Sequence, residues 1–155
     1  MLFKSMATEK TSTPETTKEK MIYLFDKSNK YIWVSSGFNT EFYTDPQVMS
    51  AMTNAFKRIG EIKILIEGDI AKRMGSLKWL FAFKEQFGNK LQIRCAVDVP
   101  HWLIVDGKHF RLEKEHATGS IGNNNLFVTD VEQPLVSDVI ERRFEDWWFR
   151  ASSIE

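Results

Sequence analysis

The sequence predicts an α/β fold: a mixed β-sheet flanked by helices. Three observations predict it. Runs of β-branched and aromatic residues mark strands, amphipathic segments of helical period alternate with them in the first half of the chain, and pairs of short strands follow in the second half. Alternating strands and helices are typical of parallel sheets, and the later strand pairs add antiparallel neighbours.

The chain is long enough for about one domain. Its first twenty residues are rich in Thr, Lys and Glu, so we expect a disordered tail over 1–20 and a single domain over 21–155. The first elements of that domain are the β-branched and aromatic runs at 22–25 and 31–34. These runs flank a polar turn and therefore predict a β-hairpin.

Local start and stop signals place most of the remaining elements. Asp45 followed by Pro46 predicts a helix start, and Gly60 predicts its end. The dipeptide Asp106-Gly107 predicts a tight hairpin between two short strands. The other predicted elements are strands at 62–66, 91–97, 102–105, 108–112 and 126–129, a helix over 76–87 that stops at Gly88, and a helix over 134–150.

Charge and cysteine content exclude several classes of protein. Lys and Arg together number 21, as do Asp and Glu, so the basic footprint of a nucleic-acid-binding protein is absent from the chain as a whole, although a local patch is compatible with these numbers. Cys95 is alone, which excludes an internal disulfide and a thiolate zinc cluster and favours a reducing, cytoplasmic setting. We find no signal peptide and no apolar run of membrane-spanning length.

The main motif is an aspartate at the end of a strand-like run, followed by a glycine-serine turn. The run 99–106 ends in Asp106, and twelve residues separate it from Gly119-Ser120-Ile121-Gly122-Asn123. Together they resemble the active-site motif of the phospholipase D-like superfamily, His-x-Lys-x4-Asp followed by Gly-Ser-x-x-Asn. The resemblance covers about 35–150 and implies the phospholipase D-like sandwich of the single-motif kind, with Asp106 and Gly119 as structural positions of the motif.

The chain departs from this motif at the positions of the catalytic histidine and the phosphate-binding lysine. In the family, the histidine attacks phosphorus, the lysine and asparagine bind phosphoryl oxygens, and two single-motif chains combine across a two-fold axis. Here Val99 stands at the histidine position and His101 at the lysine position. Because residues i and i+2 of a strand share a face, we expect both side chains to face one site. Valine cannot attack phosphorus, so the pattern predicts a pseudoenzyme.

Hydrogen-bond donors remain at the expected site. We expect His101, Ser120, Asn123 and Arg111 to line the mouth of the sheet, a set better suited to binding a phosphate than to cleaving one. No cofactor and no metal are expected, since two histidines seven residues apart, His109 and His116, match no compact zinc pattern even with Glu113 or Glu115. Both histidines are expected at the surface. The cluster of Lys72, Arg73 and Lys78 is either a solvated face or a contact for a nucleic-acid backbone.

Three hypotheses about function follow. The first is a non-catalytic module that binds a phosphate-bearing ligand, with nucleic acid first and anionic lipid second, or that serves as an oligomerising partner domain. The second is a dimeric phosphodiesterase or nuclease that uses His101 in a displaced geometry. The third is an assembly subunit without a ligand, because the three adjacent aromatics Trp147-Trp148-Phe149 cannot all face one core and predict a homodimer or partner contact.

Overall fold

One mixed sheet organises the described part of the chain. A computed structural model describes residues 7–11, 14–113 and 125–154. The strands in these residues are β1 Ala7–Thr11, β2 Tyr31–Ser36, β3 Glu61–Glu67, β4 Leu91–Ala96, β5 Trp102–Val105, β6 His109–Leu112, β7 Asn125–Thr129 and the short β8 Ser152–Ser153. They lie in the order β1-β7-β6-β5-β2-β3-β4-β8. Strands β2, β3 and β4 run parallel and the other pairs run antiparallel. This architecture confirms the predicted fold class.

Helices cover both faces of the sheet. The α-helices are α1 Pro14–Lys27, α2 Thr40–Tyr43, α3 Pro46–Arg58, α4 Lys78–Phe87 and α5 Pro134–Arg150, with 3-10 turns at Ile70–Lys72, Met74–Leu77 and Gly88–Lys90. Helices α1 to α4 bury their apolar residues on one face, and α5 covers the other. Successive strand residues alternate between these two cores, as the two-residue period of a strand requires: Leu103 joins the first core and Ile104 the second.

The start and stop signals in the sequence are confirmed in most places. Helix α3 begins at Pro46 and ends just before Gly60, and α5 spans the predicted 134–150. Helix α4 begins two residues later than predicted, because a 3-10 turn occupies Met74–Leu77. The β5–β6 hairpin turns at Asp106 and Gly107, with φ of 58° and 69°, which is the pair of positive angles that a tight hairpin of this hand needs.

The predicted hairpin near the amino end is wrong. Residues 22–25 belong to helix α1, where Met21, Leu24 and Phe25 are buried against the core at helical spacing. The prediction of a disordered tail over 1–20 is also wrong for 7–11 and 14–20, and the predicted domain start at 21 falls inside α1. The polar first half of α1 contacts the start of α3 through an ion pair of 2.9 Å between Lys18 and Asp45.

The aromatic cluster in α5 is mostly internal. Trp147 and Trp148 are buried in the second core, and Phe149 is 71% exposed. Of the three aromatics expected at an interface, only Phe149 is therefore exposed. The homodimer or partner contact stays a prediction. Lys63, which interrupts the apolar run of β3, lies in this core with its ammonium 4.4 Å from the centre of the Trp33 ring, a cation–π contact.

His109 is buried, and its predicted surface position is wrong. It is 2% exposed, because β6 is an interior strand of the sheet. The main-chain N–H of Asp130 donates to its Nδ1 at 3.1 Å. Burial lowers the pKa of His109, although the nearby Asp130 carboxylate opposes this shift.

We predict that Gly107→Ala destabilises the protein by about 2 kcal/mol or more. The residue has a left-handed φ, and a Cβ there would collide with the Glu141 carboxylate and the Tyr31 hydroxyl, which hydrogen-bond to each other at 2.9 Å. The measurement is the urea unfolding midpoint. Gly75→Ala is the control, since a Cβ there meets nothing within 4 Å; equal midpoints for the two variants would contradict this account of the turn.

His109 should make stability depend on pH. Its folded pKa lies below its unfolded value of about 6.5, so its contribution is fully present above that value and is lost as the pH falls below it. We expect His109→Asn, which keeps a hydrogen-bond acceptor for Asp130, to lose less stability than the wild type between pH 7 and pH 5. Chemical denaturation at each pH measures this, and parallel pH profiles would refute it.

Candidate functional site

The candidate site lies at one edge of the sheet, which we call the carboxyl edge. Here the parallel strands β2 and β3 end at Ser36 and Glu67, and β5 begins just after His101. Strand β2 pairs in parallel with β3 on one side and antiparallel with β5 on the other. Ligand sites in α/β sheets form outside the carboxyl ends of strands where the strand order changes direction.

His101 is held between two carboxylates. Its Nε2 lies 3.2 Å from Glu67 Oε1, and its Nδ1 lies 3.5 Å from Glu113 Oε2. The His101 main-chain N–H donates to the other oxygen of Glu113 at 3.3 Å, and the Glu113 N–H donates to the His101 carbonyl at 3.2 Å. A neutral imidazole donates from one nitrogen and accepts at the other, whereas a protonated ring donates from both. In either state, both ring nitrogens face carboxylate oxygens.

A cavity of about 200 Å³ opens beside His101 on the face covered by helices α1 to α4. This volume is smaller than the sites that enclose whole drug-sized ligands. Its walls combine polar and apolar groups. The polar lining is Thr17, Ser35, Ser36, Asn39, Tyr43, His101, Arg111 and Glu113; the apolar lining includes Met21, Val34, Phe38, Phe42 and Leu103.

The cavity contains a buried cation. Arg111 is 9% exposed, and burial lowers the pKa of its guanidinium, while the nearby Tyr43 and Glu113 raise it. Arginine nevertheless stays charged at neutral pH. Burial also raises the pKa of Tyr43, whose hydroxyl donates to the Ser36 hydroxyl at 3.1 Å. The cavity therefore presents a guanidinium and two hydroxyls, with the Glu113 carboxylate in the same wall.

Val99 does not share the face of His101, and that expectation is wrong. Strand β5 begins only at Trp102, and Asp98 has a positive φ of 57°, so the alternation of strand side chains does not extend back to residue 99. Val99 packs against the second core, and it lines a separate cavity of about 540 Å³ together with Trp147. The position that the motif resemblance assigns to the nucleophile thus lies outside the lining of the His101 cavity.

A serine hydroxyl fixes where β5 begins. The Ser35 hydroxyl donates to the Pro100 carbonyl at 2.7 Å and accepts from the Trp102 N–H at 2.9 Å. This bridge from β2 satisfies main-chain groups on both sides of His101. It therefore holds His101 at the carboxyl edge independently of any ligand.

Asp106 lies at the opposite end of β5 from His101. Its carboxylate accepts hydrogen bonds from the main-chain N–H groups of Asn29, Lys30 and Tyr31, at 2.9, 2.7 and 3.0 Å. These bonds join the β5–β6 turn to the loop that precedes β2.

Gly119, Ser120, Asn123 and the predicted surface histidine His116 lie outside the described residues. Of the predicted ligand-binding set, the described residues place His101 and Arg111 in one cavity.

Sequence reasoning missed three charged or polar groups at the site. Glu67 directly follows the predicted strand 62–66, so the rule that sites form at carboxyl ends of strands was a usable signal for it. Tyr43 lies in a short helix that we did not predict. Glu113 reaches His101 only through the β5–β6 pairing, which sequence alone does not position. Within the described residues, no cluster of three His, Cys, Asp or Glu side chains is placed to hold a metal ion.

Comparison with protein-family models and with curated protein sequences finds no match. Solved structures do match. The archaeal chromatin protein TrmBL2, whose structure shows a novel mode of DNA binding, has 14% identity and a TM-score of 0.68, over 96% of this chain and 54% of TrmBL2. This chain therefore spans about half of that protein.

Two shorter proteins match along their whole length. Nuc from Salmonella typhimurium, a phospholipase D family member, has 16% identity and a TM-score of 0.66, over 97% of this chain and 99% of Nuc. NucT from Helicobacter pylori has 9% identity and a TM-score of 0.64, over 97% of this chain and all of NucT. The matches confirm the phospholipase D-like fold. None of the helices in the described residues has the length and apolarity needed to span a bilayer.

We predict that Asp106 stabilises the fold. Asp106→Ala removes the acceptor of three main-chain N–H groups and should lower the free energy of unfolding by about 1–3 kcal/mol. Asp98→Ala is a matched control, since Asp98 has the same left-handed φ but no hydrogen bond to its carboxylate within the described residues. Urea unfolding measures both, and equal losses would show that the carboxylate contributes nothing beyond its backbone preference.

Proposed function

We propose that this chain, a domain of phospholipase D-like fold, is a non-catalytic module that binds nucleic acid through phosphate groups at the carboxyl edge. The observation that supports it best is the position of His101 between Glu67 and Glu113, with Val99 turned towards the other core. His101 is the described imidazole that lines the cavity, and its two ring nitrogens lie 3.2 and 3.5 Å from carboxylate oxygens.

The chemistry of attack explains why this arrangement opposes catalysis. A histidine nucleophile needs a ring nitrogen whose lone pair is directed at phosphorus. Both nitrogens of His101 are instead directed at carboxylate oxygens.

The remaining groups are suited to binding. Arg111 supplies a charge that does not titrate near neutral pH, and the hydroxyls of Ser36 and Tyr43 supply hydrogen bonds. TrmBL2, which shares the fold, binds DNA. A nucleic-acid ligand is also consistent with the cytoplasmic setting expected from the single cysteine, and we include that location in the proposal.

The runner-up is the dimeric phosphodiesterase that uses His101. One observation favours it: a histidine beside a carboxylate is the arrangement that enzymes use to orient a general base or nucleophile. It requires that one of the two carboxylates leave the ring when substrate binds. The two proposals therefore make opposite predictions about turnover.

The test combines a binding assay and a cleavage assay. Fluorescence anisotropy measures the affinity for labelled single-stranded and duplex DNA from low to physiological salt. The logarithm of this affinity should fall linearly with the logarithm of the salt concentration. Bis(4-nitrophenyl) phosphate and the same DNA should remain uncleaved. Absence of DNA binding at low salt would remove the nucleic-acid proposal.

Variants separate the two proposals if cleavage is seen. Turnover that disappears in His101→Ala but persists in His109→Asn would establish the phosphodiesterase. His109 is the matched control, since it is a histidine of the same sheet that lines neither cavity. Turnover that is unchanged in both variants would indicate a contaminating enzyme, and purification would then have to remove it before the non-catalytic proposal is accepted.

A further inference from the structure

Arg73 lies over the ends of two neighbouring parallel strands. A Cβ built on Gly37, just after β2, would lie 4.0 Å from Arg73 Nη1 and 3.6 Å from His101 Cε1. A Cβ built on Gly68, just after β3, would lie 4.0 Å from the same Nη1. The guanidinium is therefore beside His101 at the carboxyl edge, over two residues without side chains, where a ligand can approach the main chain closely.

Arg73 is charged but forms no ion pair with any described residue. Its Nη2 donates to the Phe38 carbonyl at 3.2 Å, which uses one of five N–H donors. Other arginines of the chain are engaged more fully. Arg58 donates to three main-chain carbonyls and a hydroxyl, and Arg150 pairs with Asp146 at 2.6 Å. Having one side-chain hydrogen bond to the described part of the chain distinguishes Arg73 from these arginines.

The loop that carries Arg73 holds it in place without a ligand. The Arg73 N–H donates to the Ile70 carbonyl at 2.9 Å, and the Arg73 carbonyl accepts from both the N–H and the hydroxyl of Ser76, at 3.0 and 2.9 Å. Ser76 is in turn tied to Thr40, whose hydroxyl donates to its carbonyl at 2.8 Å. A cation that is already positioned loses less conformational entropy when it binds an anion.

We propose that Arg73 binds a backbone phosphate of the nucleic acid at the carboxyl edge. This inference rests on the function proposed above. A guanidinium binds phosphate through two parallel N–H bonds, and the other Arg73 donors meet no acceptor among the described residues. His101 cannot take this role while both of its ring nitrogens face carboxylates. Lys72 is less suited, since its side chain is 83% exposed and lies 3.8 Å from the Asp69 carboxylate.

The test measures DNA affinity against salt for the wild type and three variants. Arg73→Ala removes one phosphate contact, so we expect its DNA affinity at low salt to fall by about tenfold or more. The slope of log affinity against log salt concentration should become smaller in magnitude by about 0.7–0.9. Arg73→Lys keeps the charge and should keep the slope while losing part of the affinity, since an ammonium cannot form the paired contact. Lys57→Ala, an equal change of charge at the exposed end of α3, should match the wild type.

The outcomes separate this inference from the proposed function. DNA binding by Arg73→Ala with wild-type affinity and slope would overturn the role of Arg73 and leave the proposed function intact. Absence of binding by the wild type would overturn both. A loss in Arg73→Ala that equals the loss in Lys57→Ala would indicate a general effect of charge and would also overturn the assignment. Thermal unfolding of each variant checks that the fold is retained, and Arg73→Lys provides the comparison if Arg73→Ala is unstable.

Discussion

The contact between Glu113 and His101 is the constraint on which the carboxyl edge depends. The Glu113 carboxylate accepts from the His101 main-chain N–H and also faces its ring, while the Glu113 N–H donates to the His101 carbonyl. This pairing extends the β5–β6 ladder by one residue beyond Trp102. Together with the Ser35 bridge, it lets the main chain set the direction of the ring before any ligand arrives. The His101 ring is thereby held between the carboxylates of Glu67 and Glu113.

The chemistry left at this edge is divided among separate elements. Arg111 comes from β6 and Arg73 from the loop after β3, so no short motif contains both cations. The sequence predicted His101 and Arg111 among the hydrogen-bond donors at the mouth of the sheet, and both line the cavity there. Sequence reasoning missed Glu113 because the contact depends on register. It misplaced Val99 because the alternation of strand side chains was extended back beyond Trp102, where β5 begins, towards Asp98 with its positive φ.

The fold was predictable wherever local chemistry decides it. Helix α3 begins at Pro46 with Asp45 at the N-cap position, although the Asp45 side chain makes no capping hydrogen bond. The β5–β6 turn requires the two positive φ angles that Asp106 and Gly107 adopt. Helix α1 was not predictable in this way. Its buried residues Met21, Leu24 and Phe25 overlap a run that also matches a strand, and packing against α3 selects the helix. That contact joins distant parts of the chain, so no window of sequence contains it.

Intact-protein mass spectrometry after incubation with an activated phosphodiester tests the central claim most directly, because a histidine nucleophile would form a covalent phosphohistidine. The carboxylates that face both ring nitrogens of His101 predict an unchanged mass. An adduct located on His101 by peptide fragmentation would show that one carboxylate leaves the ring, and it would contradict a non-catalytic role for this domain.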